Sequence, residues 1–327
     1  MPSSKSRAYP VGMRDYVLLS GTANEKLAIE IGKILKKDID NPISIFSDGE
    51  IRVKLGENVR RKHVFIIQST STPVNDNFMQ LILMIDAAKR ASANEIIAVI
   101  PYFGYSRQDR KEMSRVPISA GIVSNMIERA GADQILTVDI HSEQSEGFIN
   151  RPWDNVYASY SLVPILKKLH IKDLVIASPD KGGMTRATAY ARLLDAQGIA
   201  IVYKERDVHV NNQSEAFAMI GDVEGKNVLI IDDMIDGGGT LVNAVNLLKS
   251  RGAKSIMAAV THGIFSGKAM EKITNAPIDT IYVTDTIDLR DEVVSNPKIK
   301  VVSVAPLIAE AIRRIHTGES ISEGLIL

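Results

Sequence analysis

Residues 228–241, VLIIDDMIDGGGTL, constrain the fold more than any other stretch of this chain. Val228 to Ile231 form an unbroken apolar run, the pattern of a short buried strand. Asp232 and Asp233 follow at its carboxyl end, and Asp236-Gly237-Gly238-Gly239-Thr240 makes a glycine-rich turn. Leu241, Ala244, Val245 and Leu248 then recur at helical spacing. The expected order is strand, acidic turn, helix. In an open parallel sheet, ligands bind at that point.

The residue types suggest which ligands. Glycines let backbone N–H groups approach an anion closely, and the start of a helix adds positive partial charge. Thr240 is placed to cap the helix or to donate its hydroxyl to a phosphate oxygen. Asp232, Asp233 and Asp236 repel one another, so a hydroxylated sugar or a divalent cation would offset them. A plain strand–turn–helix link with solvated acids is the competing reading. The absence of a Lys-Ser/Thr pair after the glycines excludes a Walker A loop, and the spacing is not G-x-G-x-x-G.

Composition narrows the class. At 327 residues the chain has room for two ordinary domains, and 45% hydrophobic residues suffice for their cores. Lys and Arg total 39, as do Asp and Glu, so nothing favours bulk attraction to nucleic acid or membrane. With no cysteine, disulfides and thiolate chemistry are excluded, which fits a reducing compartment. The segment MPSSKSRAYP has no apolar signal core. No apolar run approaches the roughly 20 residues that span a bilayer. The expected setting is the cytoplasm.

Short apolar runs alternate with amphipathic stretches along the whole chain, as in βαβ units. The pattern predicts strands over 16–20, 63–68, 95–100, 134–139, 174–178, 199–204, 227–232, 255–260, 279–283 and 300–303. Helices are expected over 24–35, 120–130, 158–169, 185–196, 240–250 and 305–315, with a further stripe at Phe78, Leu81, Ile82 and Ile85. The halves read as weak copies. IIAVIPYFGYSRQDR corresponds to LVIASPDKGGMTRA, and QILTVDIHSEQSEG to NVLIIDDMIDGGGT. RPWDN breaks the pattern, so the domains are expected at 1–156 and 157–327, with the C-terminal tail free to pack on the first domain. The first copy lacks the triple glycine.

Other loops carry chemistry. In Pro101 to Lys111, aromatic residues beside Arg107 and Arg110 suit a purine and its phosphates. Phe46, Asp48 and Glu50 surround a turn that could hold an adenine face and its amino edge, although hairpin chemistry at Asp48-Gly49 explains them equally. Asp139 and His141 share a side if their strand persists. Asp180-Lys181-Gly182-Gly183 reads as an anion cradle, in which Asp180 could hold a cation bridging a diphosphate. Lys204 and Arg206 lie two apart ahead of a polar segment, 207–216, and could close over a polyphosphate.

Together and in this order, the segments resemble the ribose-phosphate diphosphokinases, over about 17–322. The triglycine loop is also similar to that of type I phosphoribosyltransferases. The resemblance implies an α/β fold of two similar type I phosphoribosyltransferase-like domains, each a mainly parallel sheet flanked by helices. It implies the reaction of ATP with ribose 5-phosphate and magnesium. Phe46, Asp48, Glu50, Arg107, Gln108, Glu112 and His141 would bind ATP, and Asp180, Lys181, Gly182 and Gly183 the diphosphate. His141 and Asp180 would contact magnesium, and Lys204 and Arg206 would be catalytic. Asp232, Asp233, Asp236, Gly237, Gly238, Gly239 and Thr240 would hold ribose 5-phosphate. A regulatory site for phosphate or ADP in a homohexamer built from dimers would include Asn58, Arg60, Ser114, Arg115, Ser320 and Ser322. Glu146 stands there where many members have Gln, so anion regulation should be weakened. A phosphoribosyltransferase and a non-catalytic regulatory homologue are the alternatives. The first would lack the duplicated half and release diphosphate; the second would have damaged loops.

Overall fold

The computed structural model describes residues 15–205 and 216–325, the side chains of Lys204, Glu205 and Ala216 excepted. The chain divides into two compact units. The first runs to Val156 and resumes at Ile308; the second spans Tyr157–Leu307.

The first unit contains β1 (Tyr16–Ser20), α1 (Glu25–Leu35), β2 (Ile39–Asp40), β3 (Ile43–Ile45), β4 (Ile51–Val53) and β5 (His63–Ile67). It continues with α2 (Val74–Arg90), β6 (Glu95–Ile100), α3 (Ser119–Ala130), β7 (Gln134–Val138), a 3-10 turn (Glu143–Phe148) and β8 (Trp153–Val156). Its main sheet has the order β2-β1-β5-β6-β7-β8, with every pair parallel. β3 and β4 form a separate antiparallel hairpin. The stripe of α2 packs as expected: Phe78, Leu81 and Ile85 are buried beside Val64, Ile66 and Ile96, with Ile82 packed against them.

The second unit contains α4 (Ser159–Lys167), β9 (Leu174–Ser178), α5 (Met184–Leu193), β10 (Gly198–Glu205), β11 (Ala216–Ile220) and β12 (Asn227–Ile235). Then come α6 (Gly239–Ser250), β13 (Ser255–Gly263), α7 (Ala269–Asn275), β14 (Thr280–Thr284), α8 (Asp291–Val294) and β15 (Ile299–Val302); α9 (Ala305–Thr317) starts in this unit and from Ile308 belongs to the first. The sheet order is β11-β10-β9-β12-β13-β14-β15, parallel except for β10 with β11. β9 thus connects to β10 on one side while β12 lies on its other side. That reversal creates a crevice at the carboxyl ends of β9 and β12.

The equivalent reversal in the first unit lies between β1 and β5, and there the chain fills its own crevice. Gln68 donates to Gln80 (2.9 Å) and to the Asn77 carbonyl (3.1 Å), while the Ala23 amide donates to Gln68 (3.2 Å). A side chain at Gly21 would run into the Gln68 amide.

The C-terminal return closes the first unit with aromatic contacts. The His316 ring, in the last turn of α9, lies 4.5 Å from the Tyr16 ring and 5.3 Å, edge-on, from that of His63. Nδ1 of both histidines is buried without a hydrogen-bond partner. Burial, then the neighbouring His63 and Lys37, hold His316 below its ordinary value of 6.5, against a smaller opposing pull from Asp15. Such a group gains a proton on unfolding. Its contribution to stability is therefore complete above pH 6.5 and is lost as pH falls below that value. His316→Phe should flatten this part of the profile. Urea midpoints at pH 7.5 and 5.5 should differ less for the variant than for the parent protein, and an unchanged difference would remove His316 from the account.

Candidate active site

The site in the second unit is built on unequal pairing along β12. β9 pairs with β12 from Asn227 to Ile230, whereas β13 stays paired as far as Ile235. Beyond Ile230, β12 keeps a neighbour on one side and faces the crevice on the other. The strand expected to end at Asp232 therefore runs on through Asp233 to Ile235, which extends the sequence reading. The ladder to β13 outlasts the apolar run because Val260, Thr261, His262 and Gly263 continue that strand in a buried environment.

The acids repel each other in this setting. The Asp233 amide donates to the Asp232 carboxylate at 2.9 Å, and Arg186 lies 3.7 Å from the buried Asp233 carboxylate. Burial, then Asp233 and Asp180, push the Asp232 carboxyl well above the ordinary carboxylate range, and Arg186 only partly opposes them. After β9, Asp180 caps the turn into α5: the Gly183 amide donates to its carboxylate at 2.9 Å, and the Ser178 hydroxyl donates to its carbonyl at 2.7 Å. A Cβ at Gly183 would sit 2.6 Å from the Ser178 hydroxyl oxygen, so this turn requires glycine. Lys181 Nζ lies 4.8 Å above the Tyr203 ring of β10.

After β12 the triglycine turn leads directly into α6. Gly238 occupies the N-cap position with φ of 72°, in the left-handed region that favours glycine. Thr240 follows inside the helix, so it does not cap it, and its side chain is exposed. A Cβ at Gly237 or Gly239 would meet nothing within 4 Å, whereas one at Gly238 would press on Ala269 at 3.5 Å. The turn is open on one side and supported on the other. Ser266 donates its amide to the Asp236 carbonyl (3.1 Å) and its hydroxyl to the Asp236 carboxylate. Lys272 Nζ donates to the Gly237 carbonyl at 3.0 Å. Arg186, Ser266 and Lys272 are participants that sequence reading missed. Only Arg186 had a signal, three residues beyond the glycines of the first cradle.

The first unit carries the other expected residues on its connections. Phe46, Asp48 and Glu50 occupy the turn of the β3–β4 hairpin, where Gly49 has φ of 95° and the Glu50 amide donates to Asp48 at 3.1 Å. Phe46 is exposed, with the Arg52 guanidinium 5.7 Å from its ring. Arg107, Gln108 and Glu112 are exposed between β6 and α3, and Gln108 accepts from the Ser119 hydroxyl at 2.7 Å. Tyr102 and Phe103 are buried, and Phe103 packs 5.2 Å from Trp153. These two rings are core residues and are not available to stack on a purine, contrary to the expectation from their place beside the cations.

Asp139 and His141 do not share a strand face. β7 ends at Val138, and Asp139 turns left-handed with φ of 42°, leaving Asp139 buried and His141 exposed. Asn58, Arg60, Ser114, Arg115, Ser320 and Ser322 are exposed. The Arg60 amide donates to Asn58 at 3.0 Å, and the Ser320 and Ser322 hydroxyls lie 2.9 Å apart. The carboxyl of Glu146 is raised by partial burial and by Glu143 and Asp154. Lys204, one residue before the end of β10, lies opposite Phe217 of β11; its side chain and all of Arg206 lie outside the described residues.

Two family matches cover most of the chain. The N-terminal domain of ribose phosphate pyrophosphokinase matches residues 16–131, and the phosphoribosyl synthetase-associated domain matches residues 205–325. The chain is 47% identical to a ribose-phosphate pyrophosphokinase of Campylobacter jejuni over 95% of this chain and 99% of that protein. It is 48% identical to one of Vibrio cholerae over the same shares. A crystal structure of phosphoribosylpyrophosphate synthetase from Mycobacterium smegmatis superposes with a TM-score of 0.87 at 36% identity, covering 93% of this chain and all of that one.

The repulsion at Asp232 has a measurable cost. A carboxyl whose pKa is raised by folding destabilises the folded state increasingly as pH rises above its unfolded value of 3.8. Asp232→Asn keeps the acceptor for the Asp233 amide and removes the charge. The ligand-free variant should melt about 2–4 °C higher at pH 8. Near pH 4 the gain should vanish, as calorimetry at the two pH values would show.

Proposed function

The chain belongs to the ribose-phosphate pyrophosphokinase family, and from that premise we propose how its residues divide the reaction. It is an enzyme of nucleotide biosynthesis that transfers the diphosphoryl group of ATP to ribose 5-phosphate, giving 5-phosphoribosyl 1-diphosphate and AMP. The sugar's 1-oxygen forms a bond to the β-phosphorus, the bond from that phosphorus to the α–β bridging oxygen breaks, and AMP leaves with the bridging electron pair. The 1-hydroxyl proton passes to solvent.

The observation that supports the assignment of the second unit is the end of β9 pairing at Ile230 of β12, beyond which an acidic pair precedes a turn where Gly237 and Gly239 have open space beside them among the described residues. Asp232 and Asp233 accept hydrogen bonds from ribose hydroxyls, which replaces mutual repulsion with charge-assisted bonds. The amides of Gly237, Gly238 and Gly239 and the Thr240 hydroxyl receive the 5-phosphate at the start of α6, where the helix dipole adds to the attraction. Asp236 stays tied to Ser266 and holds the turn in shape. The turn Asp180-Lys181-Gly182-Gly183 receives the diphosphate.

In the first unit, Phe46 offers an exposed ring face for adenine, while Asp48 and Glu50 accept from its amino edge. Arg107 and Gln108 hold phosphate oxygens, with Glu112 and His141 beside them. Asp180 and Asp233 both repel Asp232, and Arg186 offsets this only in part, so oxygen donors here suit a hard divalent cation held largely by the substrate phosphates, the described residues forming no cluster of three metal-ligating side chains. Magnesium would contact Asp180, with His141 as a contact in the first unit, and when bound would draw charge from the phosphates. Lys204 and Arg206 stabilise the charge that develops on the bridging oxygen. The reading includes a cytoplasmic homohexamer built from dimers, with phosphate or ADP regulation through Asn58, Arg60, Ser114, Arg115, Ser320 and Ser322.

Lys204→Ala should lower turnover ~10²–10³-fold with the ATP KM nearly unchanged, measured by AMP release. Near-full turnover with a raised ATP KM would assign Lys204 to binding instead. Glu146→Gln removes a carboxylate from the anion-regulated region and should strengthen the response to inorganic phosphate. A phosphate titration identical to that of the parent protein would place Glu146 outside that region.

A further inference from the structure

We propose that Lys272 of α7 is a positioning residue for the ribose 5-phosphate turn, acting through the Gly237–Gly238 peptide. The proposal rests on the reading of residues 236–240 as the phosphate cradle and adds a side chain that touches no substrate.

The geometry is specific to one peptide unit. Lys272 Nζ donates to the Gly237 carbonyl at 3.0 Å. In a planar trans peptide, the carbonyl and the N–H point to opposite sides. Holding the Gly237 carbonyl toward α7 therefore turns the Gly238 N–H away from α7. The flanking glycines leave that direction open, since a Cβ on either would meet no atom within 4 Å. The ammonium also polarises the peptide it grips, which strengthens the N–H as a donor to an anion. Glycine makes this support necessary. Gly239 already belongs to α6 and the Gly238 carbonyl accepts from Val242, but the Gly237–Gly238 peptide precedes the helix, between residues without Cβ atoms, one of them at φ of 72°.

The rest of the β13–α7 connection fixes the turn up to that point. The Ile264 and Phe265 amides donate to the Ile235 carbonyl at 2.9 and 3.1 Å, and Ser266 holds both the backbone and the carboxylate of Asp236. The Phe265 carbonyl in turn accepts from Arg290 at 2.6 Å. Ala269 packs behind Gly238. These ties end at Asp236; past it, the Val242 amide of α6 donates to the Gly238 carbonyl at 3.0 Å, and among the described side chains it is Lys272 that reaches the Gly237 carbonyl. Its place in α7 is set by Ala269 and Ile273, both fully buried, which put Lys272 on the exposed side of the same short helix.

The test is steady-state kinetics on the full-length enzyme, varying ribose 5-phosphate and ATP separately. K272M should raise the KM for ribose 5-phosphate ~5–10-fold, the scale of one hydrogen bond to a charged group at a partly solvated site. The KM for ATP and kcat should change by less than about twofold, since uniform loss of sugar-phosphate binding leaves the chemical step alone. K272R should recover most of the affinity, and both variants should melt with the parent protein. Thr240→Val, which removes a proposed direct contact, serves as the reference. If Thr240→Val raises the ribose 5-phosphate KM and K272M does not, the positioning role is wrong while the cradle stands. If neither moves it, the cradle reading fails and takes this inference with it. A K272M defect that falls equally on ATP, or that arginine does not rescue, also overturns the proposal.

Discussion

The pairing of β12 is the constraint on which the second unit depends. Its first residues are held by β9 on one side and β13 on the other, and its last residues by β13 alone. The missing neighbour is a consequence of topology: β9 ends at Ser178 and turns away into Asp180. A strand that has lost one partner exposes backbone and side chains to whatever enters the crevice, while the remaining ladder keeps them in register. Acids placed there are rigid, close together and short of counter-charge. That arrangement is poor for an empty protein and well suited to one that binds hydroxyls and cations.

The first unit shows what the same topology does without a ligand to receive. Its crevice between β1 and β5 is closed by the amide network of Gln68, Asn77 and Gln80, a side-chain filling that satisfies buried polar groups internally. The equivalent place in the second unit has glycines and acids instead of amides. Its connections carry that unit's proposed chemistry, whereas in the first unit the exposed hairpin of β3 and β4 and the link from β6 to α3 present the expected nucleotide residues. The two units therefore differ at their strand ends as well as in strand number, the second sheet adding the antiparallel β11.

Much of this architecture was readable from the chain. Buried parallel strands such as 95–100 and 174–178 are nearly continuous apolar runs, and amphipathic helices such as 120–130 show their stripe. Short or edge elements were not: β2, β3, β4, β8 and β11 are brief, and partial exposure in most of them weakens the pattern. The triglycine turn was visible because glycine repeats have few uses. The continuation of that strand through Asp233 to Ile235 was not, because pairing with β13 is a tertiary fact that overrides the polarity of the acids. Tyr102 and Phe103 misled for the opposite reason, since aromatic residues beside cations occur equally at the rim of a core. Ser266 and Lys272 carried no signal at all, being distant in sequence from the turn they hold.

The return of the chain to its beginning has a consequence for biosynthesis. The first unit includes residues from Ile308 onward, and His316 lies against Tyr16 in the first described strand. A ribosome adding roughly 5–20 residues per second must make nearly the whole polypeptide before that strand receives its last neighbour, a wait of tens of seconds. Until then the nascent first unit leaves the Tyr16 and His63 rings without their His316 neighbour. The second unit, contiguous in sequence, has no such dependence and can close as soon as it emerges.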